Sequence, residues 1–573
     1  MRPKTVLMLA LPVFAALAVY SGTLGAGFVY DDHLQIEENP WVKQLRHLPT
    51  VVSAPVWRFR TAESTNYYRP LQMGLYNVLW WAGDGSALPF HLLNVLLHAA
   101  STALLALLVH RLTRNRLVAT SAALLFAVHP ANSEAVAWIA CLPELGYSLA
   151  LLLALLVHLS ARGLQGAAGA RRRTVALCAA AVAILFKETG FAIIPLVFLL
   201  ELWLPGEPRA GAVPRIRAAA RAGWPYAAVG IAYLALRLLV VGGVAPKAQA
   251  ELGLLDALRH APALFFGYLR LLWMPARLLA FHTLETPSRL AQAVGWPLLL
   301  AVPALLLLLA RRRADLAVAG AIVAVPLAPV LYVPALGINA FAERYAYLPA
   351  AGAMWLAVAG FAVLAGRVSD TRRAAPATLV AALVMSIPLA LQTVHRNEVW
   401  RDDETLARSV LAVEPRAWPM FALLGAWYEG QQRTEEALEV YRQGLQHHPE
   451  NQLLEVNRYA LLLRMGRVNP DEAVERFERM AESYPLSFEA WAMIGDAHLT
   501  ARRFAEAEHA FSNAIEANPR DPLLYNRLAV VFAETGRIDE ARRALATSLE
   551  ISPGFELAQE NLRKLDALER ARP

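Results

Sequence analysis

The sequence predicts an all-α protein in two parts, a polytopic membrane helix bundle followed by a helical solenoid. Of its 573 residues, 57% are hydrophobic and the mean hydropathy is +0.37, above the roughly 45–50% apolar share of ordinary soluble domains. The long apolar runs are confined to residues 1 to about 394, while the remainder is rich in Glu, Arg, Gln and Ala. Within that remainder prolines recur at Pro415, Pro449, Pro485, Pro519 and Pro553, at intervals of 34, 36, 34 and 34. The break in composition sets two domains, 1–394 and 395–573.

The first apolar segment, Thr5 to Tyr20, follows Arg2 and Lys4. No small-residue cleavage site stands before the next acidic residues, so it is expected to be a retained span. Ten further segments lie near 91–110, 117–129, 145–160, 174–186, 190–204, 224–243, 291–310, 315–334, 346–366 and 374–393, about eleven spans in all. The segment 256–275 is interrupted by Arg259, His260 and Arg270 and reads as an interfacial or re-entrant helix. Residues 71–82, ending in Trp80 and Trp81, suit the headgroup boundary in the same way.

The net charge is +7. Much of it sits in short clusters between spans: Arg111, Arg114 and Arg116; Arg171 to Arg173; Arg215, Arg217 and Arg221; Arg311 to Arg313; and Arg367, Arg372 and Arg373. All five clusters fall on the cytoplasmic side if the N-terminus does, so the charge orients the chain in a lipid bilayer and implies no nucleic-acid partner. The same parity places the solenoid and the polar loops on the opposite face. Two cysteines, Cys141 and Cys178, are too few for a disulfide framework.

The 34-residue period is that of tetratricopeptide repeats. Leu424, Gly425, Tyr428, Ala437 and Tyr441 occupy the pattern's small and apolar positions, as do Trp491, Gly495, Ala507 and Phe511, and then Tyr525, Ala529, Phe532 and Ala541. The second repeat carries a two-residue insertion around Arg467–Pro470 and lacks the small residue in its first helix. Stacked helical hairpins expose a concave surface suited to an acceptor protein or peptide, or to another protein partner.

The chemistry-bearing residues gather on the non-cytoplasmic side. Asp31 and Asp32 follow the first span directly, and adjacent carboxylates there share a proton, bind a cation or act as a base. Arg69, before Pro70, and Arg344 are candidates for pairing with a phosphate. His129, Glu134, Glu144, Lys187, Glu188 and Glu343 lie at helix ends, where charged side chains face a polar cavity or one another. The His, Glu and Asp spacing is not diagnostic of zinc, and no metal is assigned.

Six segments occur in order ahead of the repeats: FVYDDHLQIEENPWV, YYRPL with FHLLNVLLHA, LFAVHPANSEAVAW, LFKETG, AERYAYLP and HRNEVWRDDETL. Together they resemble the transmembrane and tetratricopeptide-repeat O-mannosyltransferases and their bacterial relatives. The resemblance implies a C-type glycosyltransferase fold and a polyprenyl-phosphate sugar as donor substrate. It further implies transfer of a sugar, mannose in the family, to a hydroxyl of an extracytoplasmic protein. It makes Asp31 and Asp32 catalytic, with Asp31 as acceptor base. Arg69, His129, Glu134, Glu144, Lys187, Glu188, Glu343 and Arg344 would bind donor phosphate or substrate. The chain departs from the family after VAW, where relatives carry an arginine and then an acid; here Cys141, Leu142 and Pro143 precede Glu144. No cofactor is implied beyond a divalent cation that two acids could hold.

Two other readings compete. A membrane-anchored repeat scaffold for cell-envelope assembly needs no acid pair, and a C-type transferase acting on a glycan or lipid needs no repeats. High Ala, Leu and Arg content suits a GC-rich bacterium, placing the protein in the inner or cytoplasmic membrane.

Overall fold

The computed structural model describes residues 3–59, 67–204, 211–243, 253–283, 286–333, 341–368, 371–481, 485–552 and 555–570. Pro553 and the side chains of Arg367, Arg372 and Arg373 lie outside the described residues. Among the described residues the chain is helical throughout and contains no strand. It divides into two compact units, Met1–Asp32 with Tyr68–Thr405, and His33–Tyr67 with Leu406–Pro573.

The first unit holds thirteen principal helices: α1 (Pro3–Tyr20), α2 (Pro70–Ala82), α3 (Leu88–Thr113), α4 (Arg116–Ala127), α5 (Leu142–Ala161), α6 (Gly166–Phe186), α7 (Ile193–Trp203), α8 (Ala212–Val241), α9 (Leu254–Trp273), α10 (Arg289–Arg312), α11 (Ala314–Leu327), α12 (Tyr347–Val368) and α13 (Thr371–Asn397). Each of the eleven expected apolar segments contains a helix among the described residues, although the one expected at 315–334 ends at Leu327 and Pro334 lies outside them. Among the described residues seven helical stretches are long and apolar enough to cross a membrane; α4 and α11 are shorter apolar helices. The chain is a multi-pass membrane protein. α7 has only 11 residues and α6 opens with Arg171 to Arg173, which is why neither is among the seven.

Local sequence sets several ends. Arg114 terminates α3 in the left-handed conformation, and the Asn115 side chain then accepts hydrogen bonds from Leu117 and Val118 N–H, capping α4. Outward faces carry Leu300, Leu307, Val380, Val384 and Leu391, all exposed, as helices solvated by lipid require. Inside, His98 bridges α3 to its neighbours, with ring nitrogens 2.9 Å from Tyr347 Oη and 3.0 Å from Ala127 O. α9 buries Leu264, Phe265 and Tyr268 while Leu254, Leu255 and Leu258 at its start are exposed.

Among its described residues the second unit contains four helical hairpins: Trp418–Gly430 with Thr434–His447, Gln452–Arg464 with Pro470–Ala481, Phe488–Thr500 with Phe504–Ala517, and Pro522–Glu534 with Ile538–Ile551. Glu556–Arg570 follows them. A Cβ on Gly425 would enter the Tyr441 ring, and one on Gly495 would lie 2.6 Å from the Phe511 ring. The small residue thus admits an aromatic sixteen positions later. In the second hairpin the equivalent position is Tyr459, and its ring meets Phe477 edge-on at 5.9 Å. That partner lies eighteen positions on, so the two-residue insertion accompanies a ring-on-ring contact in place of glycine on ring.

Composition placed the domain boundary at 394/395, whereas α13 runs to Asn397 and the first unit continues to Thr405. The described residues of 33–67 group with the repeats: Arg520 Nη1 donates to Arg58 O at 3.3 Å, and a cleft of about 460 Å³ lies among Glu37, Lys43, Phe59, Arg520 and Phe555. Composition could not assign this segment, because its contacts are hundreds of residues away in sequence.

Candidate functional site

The site is built within the first unit, from helix ends and the turns between them. After α1 the chain turns at Ser21–Gly25 and reaches Tyr30, whose φ of 53° is left-handed. Such a backbone costs a tyrosine about 1–2 kcal/mol. Several ties fix the turn. Tyr30 N–H donates to Asp403 Oδ1 at 2.9 Å, Gly27 N–H donates to Arg401 O at 3.0 Å, and a His91 ring nitrogen lies 3.2 Å from Gly27 O. Trp138 Nε1 donates to Val29 O at 3.3 Å, while the Trp138 ring stacks on Trp400 at 5.3 Å. The HRNEVWRDDETL segment thereby holds the acid-bearing turn, a role its linear sequence does not display.

The two acids then part company. Asp32 is fully buried, and its carboxylate accepts from Val29 N–H at 3.1 Å and Ala140 N–H at 2.8 Å. It fastens the turn to the loop before α5. Asp31 is partly exposed and receives no hydrogen bond from any described residue. Desolvation raises its carboxyl from 3.8 to about 6, and the nearby charges of Arg344 and then Arg69 oppose that rise.

Beside Asp31 runs a chain of buried charges. Arg344 pairs with Glu134 through both its backbone N–H, 3.1 Å from Oε2, and its guanidinium. Its Nε also lies 3.8 Å from Glu144 Oε1, which Lys187 Nζ approaches to 2.5 Å. The guanidinium of Arg344 lies over the Trp138 and Tyr345 rings at 5.3 and 5.0 Å, and Lys187 Nζ lies over Tyr345 at 4.6 Å. Burial pushes Lys187 below the usual lysine range, against the pull of Glu144. Glutamate, arginine, glutamate and lysine thus alternate, so each buried charge faces an opposite one.

Arg69 caps α2 at Pro70, whose fixed φ suits a first helical position. Tyr76 of that helix donates to Ile139 O at 3.2 Å, tying α2 to the same loop as Asp32. Glu188 lies 3.0 Å from Arg237 Nη1. Glu343 accepts from Leu279 N–H at 2.5 Å and lies 3.5 Å from Arg396 Nη2. His129 is buried, with Nδ1 accepting from Ala131 N–H and Nε2 3.2 Å from Leu272 O. Its ring caps the turn Pro130–Asn132.

The expected site residues therefore fall into groups. Asp31, Arg69, Glu134, Glu144, Lys187 and Arg344 act on one another directly or electrostatically; Glu188 and Glu343 pair with arginines of their own; His129 serves the backbone. Sequence reading missed Arg237, Tyr233 and Arg396. Arg237 left a signal, a lone charge inside an apolar segment.

Among the described residues, no group of three or more His, Cys, Asp or Glu side chains is arranged to hold a metal ion. Both Asp32 oxygens accept backbone hydrogen bonds.

Residues 461–508 and 492–554 match the family description Tetratricopeptide repeat. Among curated proteins, the chain is 34% identical over 192 residues to protein O-mannosyl-transferase Tmtc1 of Drosophila melanogaster, covering 33% of this chain and 22% of that protein. It is 29% identical over 194 residues to protein O-mannosyl-transferase TMTC3 of Mus musculus, covering 34% and 21%. The chain thus spans about a fifth of the length of these relatives. A solved structure of MamA is 22% identical with a TM-score of 0.22, covering 26% of this chain and 86% of that one. The curated relatives are of the family that the six sequence segments resemble.

Proposed function

We propose that this chain is a membrane glycosyltransferase that moves a sugar from a polyprenyl-phosphate donor to a hydroxyl of an extracytoplasmic protein. The observation that carries this reading is the difference between the two acids. Asp32 is committed to backbone amides, whereas Asp31 is accessible, lacks a hydrogen bond from any described residue, and faces Arg344 and Arg69.

In this reaction the Asp31 carboxylate takes the acceptor hydroxyl proton as the oxygen attacks the anomeric carbon. The bond from that carbon to the phosphate oxygen breaks and the phosphate leaves as an anion. Arg69, Arg344 and Lys187 offset its charge in a site of low dielectric, where fixed cations act more strongly than in water. The family's missing arginine near Glu144 is offset by Lys187, which occupies that carboxylate. The sugar is mannose by likeness to the relatives' names. The repeats hold the acceptor polypeptide and raise its local concentration. The membrane is a bacterial inner membrane, with site and repeats on its outer side.

The test uses full-length protein in lipid nanodiscs with polyprenyl-phosphate mannose and an envelope protein fraction as acceptor. Sugar should appear on protein with wild type and fall to background with Asp31→Asn. Transfer only to lipid or glycan, or full activity of Asp31→Asn, overturns the reading.

A further inference from the structure

The backbone just before Arg69 is reached by a largely buried network rooted in α8. Tyr233 Oη donates to Tyr68 O at 3.1 Å and lies 3.3 Å from Glu188 Oε1. Arg237, one turn further along α8 and only 1% exposed, places Nη1 3.0 Å from the same carboxylate oxygen. The Tyr68 and Tyr233 rings stack at 6.2 Å, and Phe191 meets Tyr233 edge-on at 5.8 Å. Tyr68 is 4% exposed and immediately precedes Arg69. The charge of Arg69 in turn acts on Asp31 and on Lys187.

We infer that Tyr233 and Arg237 are positioning residues for Arg69: Arg237 orients Glu188, Glu188 and Tyr233 share a hydrogen-bonding centre, and Tyr233 fixes the carbonyl before Arg69. The inference rests on reading Arg69 as a donor-phosphate group, and it assigns Glu188 to the support of that group instead of to direct contact with substrate. A guanidinium buried within an apolar helix is costly unless an opposite charge meets it, and Glu188 meets Arg237. The Tyr233 hydroxyl has one proton for two acceptors, Tyr68 O and Glu188 Oε1, and sits between them.

The test is a double-mutant cycle on full-length protein in nanodiscs, with polyprenyl monophosphate as probe and binding read by native mass spectrometry. Tyr233→Phe retains the ring stack and removes only the hydroxyl. It should weaken binding about five- to tenfold in the wild-type background and less than about twofold beside Arg69→Gln, since coupled groups are non-additive. Arg237→Lys, which keeps the charge, should bind within about twofold of wild type. Thermal unfolding of each variant gives a second readout, and Tyr233→Phe should lose affinity without a matching loss of stability. Independent effects of Tyr233→Phe and Arg69→Gln, or no effect of Tyr233→Phe on wild-type binding, overturn this inference alone. Absence of binding to the wild type overturns the donor reading and this inference with it.

Discussion

Lys187 Nζ lies 2.5 Å from Glu144 Oε1, and neither side chain is more than a tenth exposed. The residues are 43 positions apart, one at the start of α5 and the other just beyond α6. Since Arg344 also approaches Glu144, the pair joins three separate helix ends into one charged cluster. Its consequences can be measured.

Lys187→Met leaves Glu144 without its nearest cation and should destabilise the membrane unit by about 3–5 kcal/mol, the usual cost of stranding a buried charge. The double variant Lys187→Met/Glu144→Leu removes both charges and should recover most of that loss. Arg344 keeps Glu134 in either case. Thermal unfolding in detergent compares the three proteins; a double variant no more stable than the single would show that the pair is not self-contained.

The two aspartates should separate by phenotype. Asp31→Asn should cut transfer by about 10²- to 10⁴-fold, as loss of a general base does, and should stabilise the fold above about pH 6, where it removes a desolvated carboxylate. Asp32→Asn disturbs an acceptor of two backbone N–H groups and should cost about 1–3 kcal/mol of stability. Activity and unfolding measured on both variants decide the matter, and identical profiles would contradict the division of roles.

Acid should inhibit the enzyme and stabilise the fold through the same group. The folded-state pKa of Asp31 is raised from 3.8 to about 6, so the folded chain holds that proton more tightly than the unfolded chain. Its contribution to stability is present below about 3.8 and is lost as pH rises through about 6. Only the carboxylate accepts a proton, so kcat/KM should climb over the same window. In Asp31→Asn the corresponding slope in stability should vanish.

Gly425→Ala should destabilise the first repeat by about 1–3 kcal/mol, because a Cβ there meets the Tyr441 ring. Gly430→Ala, with no atom within 4 Å of its Cβ position, serves as control and should be neutral or mildly stabilising. Hydrogen exchange on the full chain should show faster opening of Trp418–His447 in the first variant only.

Much of the architecture was legible in the linear sequence because it depends on local periodicity. Apolar runs gave the helices of the bundle, and the proline spacing gave the hairpins, including the two-residue insertion before Pro470. The Asp31–Asp32 dipeptide could be recognised as a site, since two acids following a span are improbable unless something uses or satisfies them. Their separate fates were not legible. Asp32 is satisfied by the backbone of Ala140, 108 residues away, a contact that no pattern of side chains announces.

The sequence by itself thus determined the helices, the repeats and the list of charged residues at helix ends. Only the tertiary structure decided which charge meets which: Glu134 with Arg344, Glu144 with Lys187, Glu188 with Arg237, Glu343 with Arg396. The physical reason is range. Helix formation is governed by neighbours three and four positions apart, whereas buried ions select partners by proximity in space, wherever the chain has brought an opposite charge out of water. Asp31 is defined by that selection as the acid left accessible once Asp32 and the buried glutamates beside it had found theirs.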